Sequence, residues 1–431
     1  MLAAMTGLPL WFVERELAAA TVKPKKLGPN DRPGIALIGC GGMGGSDAGN
    51  ASNYGDLLAM CDVNDAQSAK AIQRFTVEGK TPPQGYSDFR KVLERDDIHV
   101  IINATPDHWH SIINIGAAKA GKDIYGEKPL TLTVDEGRHV IKAVRDNNVI
   151  LQTGTQQRSS ARFRLACELV RNGRLGKLQE AKVWLPAGLR GGPFNTAPVP
   201  AGLNWDYWLG QAPKVDYMPE RGTGTFRFWY DYSGGTMTDW GAHHNDIAYW
   251  AVGLVAPRDV EAKPFTEPVA GGYDAFSEYE VLYTYANGVR LRINTTKDDS
   301  IYGEKLVKDG QRNGIRFEGS DGWIWVNRDT ITASDPELLK APLPDDAVRL
   351  YKSNNHMENF FGCVRSRELP ICDVETGHRS ANMCHLGAIA LRTGRKLTWD
   401  AEAERFVGEN ADVANPYLKR EMRKPYDYLF V

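Results

Sequence analysis

The segment Gly234-Gly235-Thr236-Met237-Thr238-Asp239-Trp240-Gly241-Ala242-His243-His244-Asn245-Asp246 holds the densest chemistry in the chain. Read as a helix opened by two glycines and a threonine, it places Asp239 and His243, four residues apart, on one face. There a carboxylate can orient and polarise an imidazole. A histidine held in that way is a general base with a pKa near working pH. His244 points elsewhere, about a hundred degrees around the helix. A metal site built from Asp239, His243, His244 and Asp246 is a competing reading. Adjacent histidines diverge, however, and no third ligand segment announces itself, so no metal is expected. The bland alternative is a histidine and an aspartate capping helix turns in a core.

A second group is Glu127-Lys128-Pro129, delivered by the short strand-like stretch Lys122-Asp123-Ile124-Tyr125-Gly126. An ammonium at such a strand end can stabilise a developing alkoxide, and Pro129 sets the turn that aims it. Otherwise Lys128 is a surface lysine in a loop.

A third group is Gly39-Cys40-Gly41-Gly42-Met43-Gly44, preceded by the apolar run Gly34-Ile35-Ala36-Leu37-Ile38. It reads as strand, tight turn and helix with G-x-G-x-x-G spacing. The first glycine permits the turn, the second admits a pyrophosphate to the backbone, and the third lets helix pack on strand. The phosphates sit at the helix N-terminus. The next apolar segment, Leu57-Leu58-Ala59-Met60-Cys61, ends in Asp62, 23 residues after Gly39. A carboxylate there accepts hydrogen bonds from ribose hydroxyls and repels a 2'-phosphate, so NAD is expected rather than NADP.

The elements that must position these groups alternate. Val100 to Pro106 reads as a buried strand stopped by Pro106, with His108, Trp109 and His110 opening a helix. Val149 to Gly154 reads as one more strand, with Thr155-Gln156-Gln157-Arg158 at its cleft end. Thr105, Pro106, His110 and Gln156 therefore join the candidate cofactor contacts, because ligands bind at the carboxyl ends of such strands. After a helix from Ala161 to Arg171 come longer alternating strands, among them Glu180 to Leu185, Glu278 to Ala286 and Val289 to Thr295. Asn287-Gly288 marks a hairpin between the last two. The expected fold is α/β: an N-terminal Rossmann doubly wound parallel sheet, and a C-terminal α+β domain with a large, open, mostly antiparallel sheet. The boundaries are 1–33 for a leader remnant and linker, 34–157 for the dinucleotide-binding domain, and 158–431 for substrate binding and oligomerisation.

Composition fits this picture. A chain of 431 residues is long enough for two domains with substantial cores. The 52 Lys plus Arg nearly balance the 54 Asp plus Glu, so no basic face for nucleic acid is implied. The 11 Trp and 17 Tyr include faces that could meet sugar rings. The six cysteines form no CxxC pair or metal-finger spacing, and free buried thiols are expected. No apolar stretch is long enough for an ordinary membrane span.

Leu2 to Val13 is apolar, and Ala18-Ala19-Ala20 has the small-residue character of a signal cleavage site. The segment looks like a signal peptide missing its basic start, which points to a periplasmic or otherwise exported protein. The alternative is a cytoplasmic protein whose N-terminal arm packs on a neighbouring subunit. Val22 to Pro33 reads as a lysine- and proline-rich linker.

In this order, GCGGMG after a strand, TPDHWH, EKP and GGTMTDWGAHHNDIAYW resemble the glucose-fructose oxidoreductase, inositol dehydrogenase and MocA (Gfo/Idh/MocA) family, from Gly34 to about Trp399. Glu375-Thr376-Gly377-His378-Arg379-Ser380 resembles the opening of the family's closing helix. Asn204-Trp205-Asp206-Tyr207-Trp208-Leu209-Gly210 resembles its W-D-x-W-L-G pattern near the cofactor edge. The resemblance implies catalytic Lys128, Asp239 and His243, with His244 a candidate for further acid/base work. It implies NAD held by Gly39, Gly41, Gly42, Met43, Gly44, Asp62, Thr105, Pro106, His110, Glu127, Lys128, Gln156 and Trp205, although Trp205 and Trp208 could instead be core. The implied reaction oxidises a secondary hydroxyl of a sugar or glycoside, at C3, with hydride passing to the nicotinamide. Two alternatives stay open: a redox-neutral NAD-dependent glycosidase, and a non-enzymatic nucleotide-binding sensor. A homodimer or homotetramer is implied as well. The doubled histidine and Trp240 depart from simple inositol dehydrogenases, so no substrate carries over from those.

Overall fold

The computed structural model describes residues 32–253, 256–295 and 313–431. The signal-like segment falls in 1–31, outside the described residues. Six short strands, β1 (Gly34–Ile38), β2 (Asp56–Cys61), β3 (Gln84–Tyr86), β4 (Val100–Asn103), β5 (Asp123–Gly126) and β6 (Leu151–Thr153), form a sheet in the order β3-β2-β1-β4-β5-β6. Every neighbouring pair in it is parallel. The continuous apolar runs explain this arrangement. All of β1 and β4 is buried, as a strand covered on both faces requires. The covering helices include α1 (Gly42–Ala51), α2 (His110–Lys119) and α3 (Val134–Asp146). Strand order reverses between β1 and β4, so a crevice opens at their carboxyl ends.

The second sheet has nine strands: β7 (Leu178–Trp184), β8 (Asp259–Pro264), β9 (Tyr279–Thr284), β10 (Arg290–Asn294), β11 (Gly314–Gly319), β12 (Gly322–Val326), β13 (Ile331–Ala333), β14 (Leu397–Asp400) and β15 (Arg405–Val407). Their order is β13-β12-β11-β7-β10-β9-β8-β14-β15. It is antiparallel except where β7 meets β10. The Asn287-Gly288 hairpin joins β9 to β10, with Gly288 at φ +85° and the Val289 N–H donating to Asn287 Oδ1. Along β9 the residues Tyr279, Val281 and Tyr283 are buried and their neighbours are not, the alternation of a sheet with one covered face. Helices α4 (Gly241–Ala251) and α6 (Val374–Thr393) supply that cover.

Elements beyond residue 157 also complete the first core. Phe360 and Phe361 of α5 (His356–Ser366) pack against Ile35, Leu37 and Tyr125. Each such ring contributes about 1.5–3 kcal/mol by leaving water. Tyr426 joins the cluster formed with Phe89 and Trp109 on the other face, and Phe430 packs beside it. All six cysteines are free and buried. Among the described residues no helix is long and apolar enough to cross a membrane.

One local expectation fails. The chain from Gly234 does not run straight into a helix: a single 3-10 turn spans Gly235–Met237, and α4 starts only at Gly241. Gly235 sits at φ +68°, which interrupts right-handed helix, and Thr238 Oγ1 accepts from the Gly234 N–H instead. Asp239 therefore precedes the helix that carries His243.

Candidate active site

At the switch point of the first sheet lies a cleft of about 330 Å³. Gly39, at φ +89°, makes the turn out of β1; a Cβ there would come within 2.6 Å of the Ala104 carbonyl. A Cβ on Gly44 would strike the Gly39 carbonyl oxygen at 2.0 Å, so this glycine sets how closely α1 approaches the strand. Gly41 and Gly42, by contrast, face nothing within 4 Å. No side chain caps α1, which leaves its first-turn N–H groups available to a phosphate. At the end of β2, Asp62 accepts from the Cys40 N–H at 2.8 Å and the Asn64 N–H at 2.9 Å. Burial raises its pKa against these N–H groups, and a ribose diol reaching it meets a carboxyl already fixed in place. The fit to a dinucleotide is carried by this bare glycine turn and the anchored acid facing the same cleft.

At the other end of the cleft Lys128 leaves β5, and its Nζ reaches Asp239 Oδ1 at 2.6 Å. Arg227 Nε approaches the same oxygen at 3.2 Å. Burial opposes ionisation of Asp239, but the two cations outweigh it and hold its carboxyl below the usual range. The expected Asp239–His243 pairing is replaced by this arrangement, because Asp239 lies before the helix and its charge is spent on Lys128 and Arg227. His243 is buried, and its Nδ1 has no hydrogen-bond partner among the described residues. Burial, then the Lys128 cation, drives its pKa well below the ordinary imidazole value. A neutral imidazole next to a fixed ammonium can accept one proton while the ammonium steadies an oxyanion.

Gly39, Gly41, Gly42, Met43, Asp62, Thr105, Pro106, Glu127, Lys128 and Trp205 all line the cleft. Gly44, His110, Gln156, Asp239, His243 and His244 are not among its lining residues. His110 spans two turns, Nδ1 meeting the Pro129 carbonyl at 2.7 Å and Nε2 the Thr105 carbonyl at 2.9 Å. Gln156 faces a neighbouring cavity. His244 is fully buried between Gln157 and Asn313 and stacks on Trp240, and burial lowers its pKa to about 4. Trp205 stacks on Trp208 and donates from Nε1 to the Val215 carbonyl, so it is at once cleft wall and core.

Two functional candidates escaped the sequence reading. Arg227 sits in a 3-10 segment with no motif around it, and only the tertiary fold brings it to Asp239. Asp107 lies inside TPDHWH, between residues that were singled out; it lines the cleft and accepts from Ser233 Oγ at 2.5 Å. Its place directly after Pro106 at a strand end was the available signal.

Residues 34–155 match the NAD-binding Rossmann fold of an oxidoreductase family, and residues 191–428 match that family's C-terminal alpha/beta domain. The chain is 35% identical over 119 residues to the levoglucosan dehydrogenase of Pseudarthrobacter phenanthrenivorans, which covers 28% of this chain and 29% of the relative. It is 27% identical over 182 residues to a glycosyl hydrolase family 109 protein of Shewanella pealeana, covering 38% and 39%. These matches span well under half the length of either relative. In overall fold it is similar to the WlbA dehydrogenase of Bordetella pertussis, solved with NADH and UDP-GlcNAcA, with a TM-score of 0.63 at 20% identity over 86% of this chain and 99% of that one.

Proposed function

The chain belongs to the Gfo/Idh/MocA oxidoreductase family, and on that premise we propose that it is an NAD-dependent enzyme oxidising a secondary hydroxyl, at C3, of a sugar or glycoside. The observation that carries this reading is the Lys128–Asp239 ion pair at the end of a cleft whose other end holds the glycine turn and Asp62. NAD supplies a hydride acceptor at the nicotinamide ring. His243, kept neutral by burial, takes the hydroxyl proton. The Lys128 ammonium donates to the same oxygen as it becomes a carbonyl. Asp239 and Arg227 position Lys128 and keep its charge directed into the cleft. His244, enclosed by Gln157, Asn313 and Trp240, acts on the orientation of α4. A substrate that loses one hydride and one proton leaves as the ketone.

The similarity to a glycosyl hydrolase family 109 protein favours a second reading, in which the 3-keto sugar eliminates its aglycone, adds water and recovers the hydride. Purified protein incubated with aryl glycosides, with and without NAD, separates the two. Stoichiometric NADH with intact 3-keto glycoside supports the dehydrogenase. Aglycone release without net NADH supports the glycosidase, and no reaction in either arm overturns both. We further infer export from the signal-like N-terminus, and a dimer or tetramer through the outer face of the second sheet. There Arg292 links Glu180 and Glu280 in a ladder of ion pairs.

A further inference from the structure

Beside the cleft lies a second cavity of about 290 Å³, and Glu127 and Met43 are walls of both. Asp47, on α1, lines the second cavity, and both carboxyl residues are 6% exposed. The Glu127 carboxyl is seated against Gly154, where a Cβ would come within 2.3 Å of its Oε1. Asp47 Oδ2 and Gln156 Oε1 are buried acceptors with no donor among the described residues. Two buried carboxyls bordering one cavity, with acceptors left unfilled, favour a state in which a proton is held there.

We propose that Asp47 and Glu127 share one proton and that its occupancy follows the charge of the nicotinamide ring: it is given up when oxidised NAD binds and taken back when the ring is reduced. The inference rests on the NAD reading of the cleft. Adenosine belongs on the β2 side with Asp62, so the nicotinamide belongs on the β4–β5 side, where Glu127 faces the cleft. The oxidised ring carries a positive charge that favours the ionised pair, and the reduced ring is neutral. Burial first, then the charge of Glu127, raises the Asp47 pKa; burial raises that of Glu127 against Lys128 and Arg227, with Asp107 adding to the rise. On the cavity side the titratable neighbours are Tyr54, Tyr125 and His356, the last kept neutral by burial. During oxidation the proton from the substrate hydroxyl then has an acceptor inside the protein. In a redox-neutral cycle the same proton can be returned.

The test compares dissociation constants of NAD⁺ and NADH from pH 6 to pH 8 by fluorescence titration, with proton release on mixing read by an indicator dye. The two ligands share phosphates and adenine, so their difference isolates the ring charge. The expected result is a Kd(NAD⁺)/Kd(NADH) ratio that falls as pH rises, about tenfold per pH unit at full linkage of one proton. In Asp47→Asn, with its fold checked by circular dichroism, Glu127 alone is left to carry the proton and the slope of the ratio changes. Glu127→Gln flattens it from the cleft side and serves if Asp47→Asn fails to fold. A flat ratio in the wild type, or an unchanged slope in both variants, overturns the inference while leaving NAD binding intact. Failure of either dinucleotide to bind overturns the cofactor reading itself.

Discussion

Lys128 Nζ lies 2.6 Å from Asp239 Oδ1 although the two residues are 111 positions apart and belong to segments framed by different sheets. The lysine side chain is 7% exposed and the aspartate 26%, and it is Lys128 that lines the cleft. In the proposed mechanism the pair fixes the ammonium that meets the substrate oxygen.

Lys128→Ala is expected to lower kcat by about 10²–10³-fold, the cost of removing one donor from an oxyanion site. NAD affinity stays within a few-fold, since the glycine turn and Asp62 are untouched. Steady-state kinetics and NAD titration check both halves, and an unchanged kcat would reduce Lys128 to a structural tie.

His243→Ala is expected to abolish turnover and leave NAD binding in place. Because burial and the Lys128 cation hold the imidazole well below its ordinary value, the base stays deprotonated under mildly acid conditions. The acid limb of kcat/KM therefore falls below about pH 6.5, the unperturbed imidazole range. An acid limb at or above that value would assign the proton to another group.

For His244 the sign of a stability effect can be worked out. Its folded pKa, lowered to about 4, lies below the unfolded value, so the unfolded chain binds the extra proton first. The wild type loses this stability as pH falls from about 6.5 towards 4, by about 1 kcal/mol at pH 5.5. His244→Gln, which cannot titrate, should lose about that much of its disadvantage between pH 7.5 and pH 5.5 in urea unfolding. A pH-independent difference would show that the folded imidazole is not held neutral.

Arg158 and Asp246 form a two-bond ion pair at 2.7 Å with exposures of 2% and 0%. The pair ties the turn after β6 to α4, the helix of His243. Asp246→Asn should cost about 3–5 kcal/mol by stranding the guanidinium, and an apolar pair of similar volume at both positions should recover most of it. Chemical denaturation of the single and double variants decides.

Asp62→Ala removes a charged acceptor that would meet the adenosine ribose. NAD should bind about 10- to 100-fold more weakly, and the preference over NADP should narrow because the repulsion of a 2'-phosphate is gone. Equal weakening towards both dinucleotides would place the ribose elsewhere.

The parts of this protein legible in its sequence are those governed by near neighbours. Gly39 is required by the positive φ of its turn and Gly44 by its approach to the Gly39 carbonyl, and Asn287-Gly288 makes its hairpin for the same local reason. Continuous apolar runs marked the parallel strands and alternating ones the second sheet, because period follows which faces are covered. What the tertiary structure alone decided is which charges meet. Asp239 and His243 share a favourable spacing, yet the positive φ at Gly235 delays the helix to Gly241, and the Asp239 carboxylate turns to Lys128 and Arg227. Likewise Asp47 and Glu127 are 80 positions apart, and nothing in their spacing announces that one cavity wall joins them. Local rules govern the backbone, whereas the partner of a buried charge depends on which distant segments share its low-dielectric surroundings.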